Sequence, residues 1–245
     1  MRRNADRARP EPSQGDLAAA RAEMVERQLR PRGVTDERVL AAMGSVPRER
    51  FVEPEMRPRA YQDAALPSRL GQTISQPLMV GLMTQLLAAD PGAHVLEIGT
   101  GTGYQAAVLA AMGCRVTTLE RLPALADAAR ATLDSLSVDC LGPDVFRLGD
   151  LVEIRVADGT LGAADGAPWQ RILVTAGAPH VPAALVAQLA VAGRLVIPVG
   201  ARWEQELLLV ERDRDEVRTS RHGACVFVPL IGADAWAGNA TDGGS

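Results

Sequence analysis

The sequence predicts an α/β domain: a doubly wound, mostly parallel sheet with a helical segment ahead of it and an antiparallel hairpin at its end. Three observations predict it. From residue 93 onward, short apolar runs alternate with helical patterns, as in parallel βαβ units. The first run passes directly through glycines into a helix, VLEIGTGTGYQAAVLA at 95–110. The last two runs, QELLLVE (205–211) and VRTSRHGACVFVPL (217–230), are joined only by the charged turn RDRDE and read as a hairpin.

Taken in order, residues 1–15 mix Arg, Pro, Ser and Gly without periodicity and predict a disordered tail. From Asp16, Leu17, Ala20, Met24 and Val25 recur at helical spacing as far as Leu29. Thr35 offers an N-cap for a second helix that carries Val39, Leu40 and Met43 on one face. The Pro- and Arg-rich stretch 47–71 predicts irregular chain wrapped over other elements, and long loops of that kind are usually functional. Ser75 can cap a helix reaching Ala89, with Pro77 in the first turn, where a missing N–H costs nothing. Strands are expected at 93–98, 115–120, 152–156, 171–176 and 194–199, with helices at about 104–112, 123–136 and 182–190. A single domain over 16–232 follows, divided into a lead (16–92) and a sheet region (93–232), with a flexible tail over 233–245.

Composition narrows the function classes. With 47% hydrophobic residues and 23% charged ones, the chain is too apolar for a disordered protein. All 26 basic residues are Arg, and the net charge of −4 leaves no nucleic-acid footprint. Cys114, Cys140 and Cys225 are odd in number and far apart, and the three histidines are equally scattered, so neither a disulfide framework nor a metal site is expected. The N-terminus lacks the apolar stretch of a signal peptide, and no run of about 18 apolar residues exists to span a membrane. A soluble, cytoplasmic protein is the expectation, and the sequence leaves the oligomeric state open, with a monomer favoured.

The glycine turn carries the sharpest chemistry. Gly99, Gly101 and Gly103 sit between strand and helix, where a tight turn and close ligand approach both exclude a side chain. The helix start adds unpaired N–H groups and a positive dipole end. A dinucleotide fingerprint would place its third glycine at position 104, where this chain has Tyr104, which disfavours a nicotinamide dehydrogenase. Glu120 ends the second strand 21 residues beyond Gly99, where a carboxylate can accept from both hydroxyls of a ribose. It can equally be a solvated strand-end acid. Glu97 lies inside the first strand, where a charge needs a partner. A ligand ammonium is one such partner, and backbone donors are another. Asp158-Gly159 follows the third strand, and by itself the pair fits an ordinary turn. These features fall at successive strand ends of one sheet, where ligands of such folds sit.

The G-x-G-x-G spacing resembles S-adenosylmethionine-dependent methyltransferases with a Rossmann-like domain. Within that class, Gln72-Thr73-Ile74-Ser75-Gln76-Pro77, then an apolar helix, then VLEIGTGTGYQAAVLA, closely resembles the protein-L-isoaspartate O-methyltransferases. The likeness extends in collinear order over roughly residues 20–232, through MVERQLRPRGVTDERVLAAMGSVPRERFV, AYQDAALP, DGTLG, ILVTAGAPHVP, GRLVIPVG and FVPL. It implies methyl transfer from S-adenosylmethionine to the α-carboxylate of L-isoaspartyl residues in damaged proteins, after which the ester collapses to a succinimide. By that resemblance Ser75 is the active-site serine, Gln72, Thr73 and Ile74 form the loop between acceptor and cofactor, and residues 16–92 carry the acceptor loop. Glu97, Gly99, Gly101, Gly103, Glu120, Asp158 and Gly159 are the expected cofactor-binding residues.

Ser75 reads as a hydrogen-bonding positioner, because no G-x-S-x-G elbow surrounds it. A plain helix cap is its structural alternative. Two departures from the family pattern bear on the acceptor: Ser68-Arg69-Leu70 replaces the usual glycine-containing stretch, and 135–151 is longer than usual. Arg69 reads either as a partner for an acceptor carboxylate or as a solvated surface group. Alternative functions are a methyltransferase for a normal Asp in one dedicated peptide and a non-catalytic S-adenosylmethionine-binding module.

Overall fold

The computed structural model describes residues 12–139 and 145–238. Most of the predicted 1–15 tail, residues 239–245 and Cys140 lie outside that range.

The first helix, α1 (Gln14–Glu23), begins two residues earlier than the apolar spacing predicts. Ser13 and Asp16 form a reciprocal cap: the Ser13 hydroxyl accepts from the Asp16 N–H at 3.2 Å, and the Asp16 carboxylate accepts from the Ser13 N–H at 3.0 Å. The chain continues as a wider turn, Met24–Leu29, that buries Met24, Val25 and Leu29. The second helix, α2 (Glu37–Ser45), is capped by Asp36 and not by Thr35. Asp36 accepts from the Arg38 N–H at 2.9 Å, while the Thr35 N–H is engaged by the Gln85 side-chain oxygen at 2.6 Å. The stretch 47–71 is a succession of tight turns. It ends in a small antiparallel hairpin that pairs Leu66–Pro67 with Thr73–Ile74. At its tip Leu70 and Gly71 both take left-handed backbone angles (φ 53° and 69°). Helix α3 (Pro77–Leu87) begins with Pro77 itself, so Gln76 and not Ser75 holds the cap position. The cap alternative for Ser75 is thereby removed.

Seven strands form the main sheet: β1 (His94–Ile98), β2 (Arg115–Glu120), β3 (Val152–Val156), β4 (Trp169–Val174), β5 (Leu189–Ala201), β6 (Glu204–Arg212) and β7 (Val217–Cys225). Their spatial order is β7-β6-β5-β4-β1-β2-β3. The strands from β3 to β5 run parallel, and β6 and β7 are added antiparallel, as the hairpin reading expects. Helices α4 (Tyr104–Ala111) and α5 (Pro123–Asp134), a single turn α6 (Leu148–Leu151) and α7 (Ala183–Gln188) complete the wrapping. The longer 135–151 stretch adds a short antiparallel pair, Ser137–Asp139 with Val145–Arg147, ahead of α6.

Burial explains the strand composition. Val95 faces the apolar layer formed by the helical lead and α4, whereas Leu96 and Ile98 face the layer of Ile172, Val174, Leu195 and Leu185. A strand covered on both faces reads as a continuous apolar run. Helix α4 is buried on every side, which its small alanines permit. Edge strand β7 is exposed along Val217–Ala224 and carries Arg, Thr, Ser and His, which discourage pairing with another chain.

Only part of the expected 233–245 tail falls among the described residues. Residues 233–238 dock on the body: the Ala233 N–H donates to Asp158 at 2.7 Å, and the Asp234 carboxylate accepts from Ala183 N–H at 2.9 Å and meets His180 at 2.9 Å. These contacts fasten Ala233 and Asp234 to the turn after β3 and the start of α7.

Capping gives a direct check on the lead. Asp36→Ala should lower unfolding stability in urea by about 0.5–2 kcal/mol, and Thr35→Ala should be nearly neutral. The reverse order would show that Thr35 is the cap.

Candidate active site

The order of the sheet reverses between β1 and β4, since β1 leads on to β2 on one side while β4 lies on the other. A crevice opens at such a point, at the carboxyl ends of the strands. Here it encloses about 880 Å3 of space, part of it open to solvent. One wall is the loop Gln72, Thr73, Ile74 and Ser75 with Val80 and Met83 of α3. The turn Gly99–Thr102 with Glu120 lines the same cleft, as do Gly159 and Phe227–Ile231.

The glycine turn is fixed by neighbours, not by its own stiffness. Gly99, Gly101 and Gly103 have φ of 95°, 53° and 87°. Glu120, only 7% exposed, accepts from the Gly101 N–H and the Leu122 N–H, both at 3.0 Å. A carboxylate offers about four lone-pair positions, so acceptor capacity remains for a ligand. From β4's end the Thr175 hydroxyl donates to the carbonyls of Ile98 (3.0 Å) and Gly99 (2.6 Å). A Cβ on Gly99 would stand 2.6 Å from that hydroxyl, and one on Gly159 would stand 2.4 Å from Ile98. Gly101 is different: a Cβ there meets nothing within 4 Å and would project into open space.

Three expected cofactor residues stand outside the cleft wall. Gly103 caps α4, and its Cβ position abuts Ala129 and Leu133 of α5, so its smallness serves helix packing. Asp158 is occupied by its own chain: it accepts from Thr160 N–H and hydroxyl (2.9 and 2.7 Å) and from Ala233 N–H. Burial works to raise the Asp158 pKa, but these hydrogen bonds outweigh it and hold the carboxyl below its usual range. Glu97 is fully buried between Thr118 and Leu173 of the neighbouring strands. Neither of its oxygens makes a hydrogen bond. Burial pushes its pKa up to about 8, with Glu120 adding in the same direction against the opposing Thr118 hydroxyl.

The acceptor loop is held from below by Arg48, which sequence reading missed. Arg48 is 0% exposed and donates to the carbonyls of Ala60 (2.7 Å) and Ser75 (2.8 Å). Ser75 itself is half-buried in the cleft wall. Thr175, Tyr104 and Phe227–Ile231 were also missed, because only the folded chain brings them to the same place. Arg69 lies in a neighbouring cleft, is 60% exposed, and donates to Glu53 at 2.8 Å, which fits the solvated-surface alternative. Cys114 and Cys225 are buried free thiols, and among the described residues no cluster can hold a metal ion. No helix of the described residues is long and apolar enough to cross a membrane.

Glu97 yields a pH prediction. Its folded pKa of about 8 lies above the ordinary 4.5, so between those values the folded chain keeps a proton that the unfolded chain has released. The stability it contributes is complete below pH 4.5 and is lost as pH rises through 8. Glu97→Gln should therefore gain stability relative to the parent as pH is raised across that window in urea titrations. Parallel profiles for the two proteins would contradict the assignment.

Comparison with known proteins places the chain. Residues 19–235 match the sequence profile of the protein-L-isoaspartate(D-aspartate) O-methyltransferase family. A protein-L-isoaspartate O-methyltransferase of Methanopyrus kandleri is 48% identical over 221 residues, which cover 89% of this chain and 93% of that one. Among solved structures, a protein-L-isoaspartate O-methyltransferase superposes with a TM-score of 0.71 at 26% identity, over 87% of this chain and 67% of the other. A structure from Plasmodium falciparum, described as a putative protein-L-isoaspartate O-methyltransferase in complex with S-adenosyl-L-homocysteine, shares the fold with a TM-score of 0.69 at 23% identity, over 86% and 98% of the two chains. With the glycine turn and the Gln72–Ser75 loop lining one cleft, these matches establish that the chain belongs to the protein-L-isoaspartate(D-aspartate) O-methyltransferase family.

Proposed function

We infer that this chain methylates the α-carboxylate of L-isoaspartyl residues in damaged proteins or peptides, using S-adenosylmethionine, and so starts their return to aspartate through a succinimide. The observation that carries the reading is the pairing, in one cleft, of the Gln72–Ser75 loop with the turn Gly99–Gly101.

The cleft's residues fit the cofactor. The open space over Gly101 admits a ligand where any side chain would intrude, and Glu120 keeps unused acceptor positions beside it. Gly101 and Glu120 would hold the ribose end, with Ile98, Leu119 and Gly159 forming apolar wall around the base. When bound, S-adenosylmethionine supplies an electrophilic methyl carbon on a sulfonium sulfur.

The chain's own contribution is placement. An acceptor carboxylate with a pKa near about 4 is already ionised at neutral pH, so no base is required. Gln72, Thr73 and Ile74 would separate acceptor from cofactor, and the Ser75 hydroxyl would orient the attacking oxygen. Val80, Met83 and Phe227 line the cleft with apolar surface that excludes water from the nucleophile. Orientation of this kind can contribute on the order of 7–11 kcal/mol. Asp158 would act indirectly, by fixing the turn that presents Gly159. Glu97 would likewise act from beneath the cleft, as a buried acid under the glycine turn. The proposed setting is the cytoplasm, as a single chain acting on polypeptides and not on nucleic acid. The net charge of −4 supports the last point.

Labelled methyl transfer to paired peptides, identical except for isoaspartate or aspartate at one position, tests the acceptor. Strong labelling of the isoaspartyl member alone is expected. Equal labelling, or preference for the normal aspartyl member, would point instead to a dedicated Asp methyltransferase. In the same assay Gly101→Val should abolish turnover and S-adenosylhomocysteine binding while retaining cooperative unfolding. Wild-type-like binding by that variant would move the pocket elsewhere.

A further inference from the structure

We propose that Arg48 is a positioning residue for methyl transfer: it sets the place of Ser75 over the glycine turn, and so governs the transfer step more than cofactor affinity. Arg48 lies in the turn Arg48–Arg50 of the lead and is completely buried. Its guanidinium touches three separate segments. Nε donates to the Ala60 carbonyl at 2.7 Å, and Nη2 donates to the Ser75 carbonyl at 2.8 Å. Its carbon stands 4.8 Å from the centroid of the Tyr104 ring. Tyr104 directly follows Gly103 and opens α4, and it lines the same cleft as Ser75. One planar cation thus spans the acceptor loop and the first residue after the glycine turn.

The energetics single Arg48 out. Burying a guanidinium costs several kcal/mol unless an acid compensates, and none of the ion pairs among the described residues includes Arg48. Burial accordingly pulls its pKa down, with Tyr104 and Tyr61 opposing. Nη1 makes no hydrogen bond at all. An apolar side chain would fill this space without that penalty, but it could not hold the Ser75 carbonyl. A lysine would keep the charge, yet it lacks the flat fork that reaches two carbonyls while stacking on a ring.

This inference rests on Ser75 being the acceptor-side residue, and the test keeps the two apart. Arg48→Lys, Arg48→Met, Ser75→Ala and the double variant Arg48→Lys/Ser75→Ala would be compared well below their unfolding midpoints. The readouts are S-adenosylhomocysteine Kd by calorimetry, and kcat and KM on an isoaspartyl peptide. Arg48→Lys is expected to lose about 10- to 100-fold in kcat, the size of effect a misplaced group produces, with Kd changed less than about threefold. In the Ser75→Ala background the same substitution should cost less than about threefold, because the residue it positions is gone. Full kcat in Arg48→Lys would overturn the proposal. So would a kcat loss matched by an equal loss of S-adenosylhomocysteine affinity, or independent effects in the double variant. If Arg48→Met does not fold, the lysine series alone decides. An inert Ser75→Ala would instead sink the role given to Ser75.

Discussion

The bond from the Gly101 N–H to the Glu120 carboxylate is the constraint on which the site depends. A glycine turn has no side chains to stiffen it, so its shape must come from outside. Glu120 supplies that from β2, gripping the turn and the start of the following loop with its two oxygens. Thr175 supplies it from β4, through the carbonyls of Ile98 and Gly99. The turn at the sheet's switch point is thereby tied to both neighbours of β1. This leaves Gly101 facing open space in a fixed frame, where a ligand can approach the backbone.

The second wall depends on a different kind of fastening. The Gln72–Ser75 loop is joined to the body by the small hairpin with Leu66–Pro67 and by Arg48 beneath Ser75. Two buried charged groups, Arg48 and Glu97, lie close to the cleft without ion-pair partners among the described residues, and burial shifts both toward their neutral forms. A fold optimised only for stability would replace such groups with apolar ones. Their presence beside a site that must orient a carboxylate and a charged donor is consistent with local stability being exchanged for placement.

Much of the fold was legible because its signals are local. The central strand β1 announced itself as an apolar run, since burial on both faces removes the need for alternation. The glycine turn was legible because positive φ at Gly99 and Gly101 demands that residue type. What failed depended on distance or on one-residue detail. The cap alternative for Ser75 fails because Pro77 fixes the first helical position and moves the cap to Gln76. No local signal shows that Asp158 also accepts from Ala233, 75 positions later, in a segment whose composition suggests a loose tail. Arg48 was invisible among 26 arginines because its meaning lies in a carbonyl 27 positions away. The family resemblance, by contrast, needed no geometry, since the Gln72–Pro77 string and the glycine turn are contiguous in sequence.

A crystal structure of the chain with S-adenosylhomocysteine and an isoaspartyl peptide tests the account most directly. Density for the nucleoside should lie along Gly99–Gly101 with its ribose on Glu120, and the peptide carboxylate should face the sulfur from the side of Ser75. A nucleoside bound elsewhere, or a peptide whose carboxylate lies away from Ser75, would contradict it.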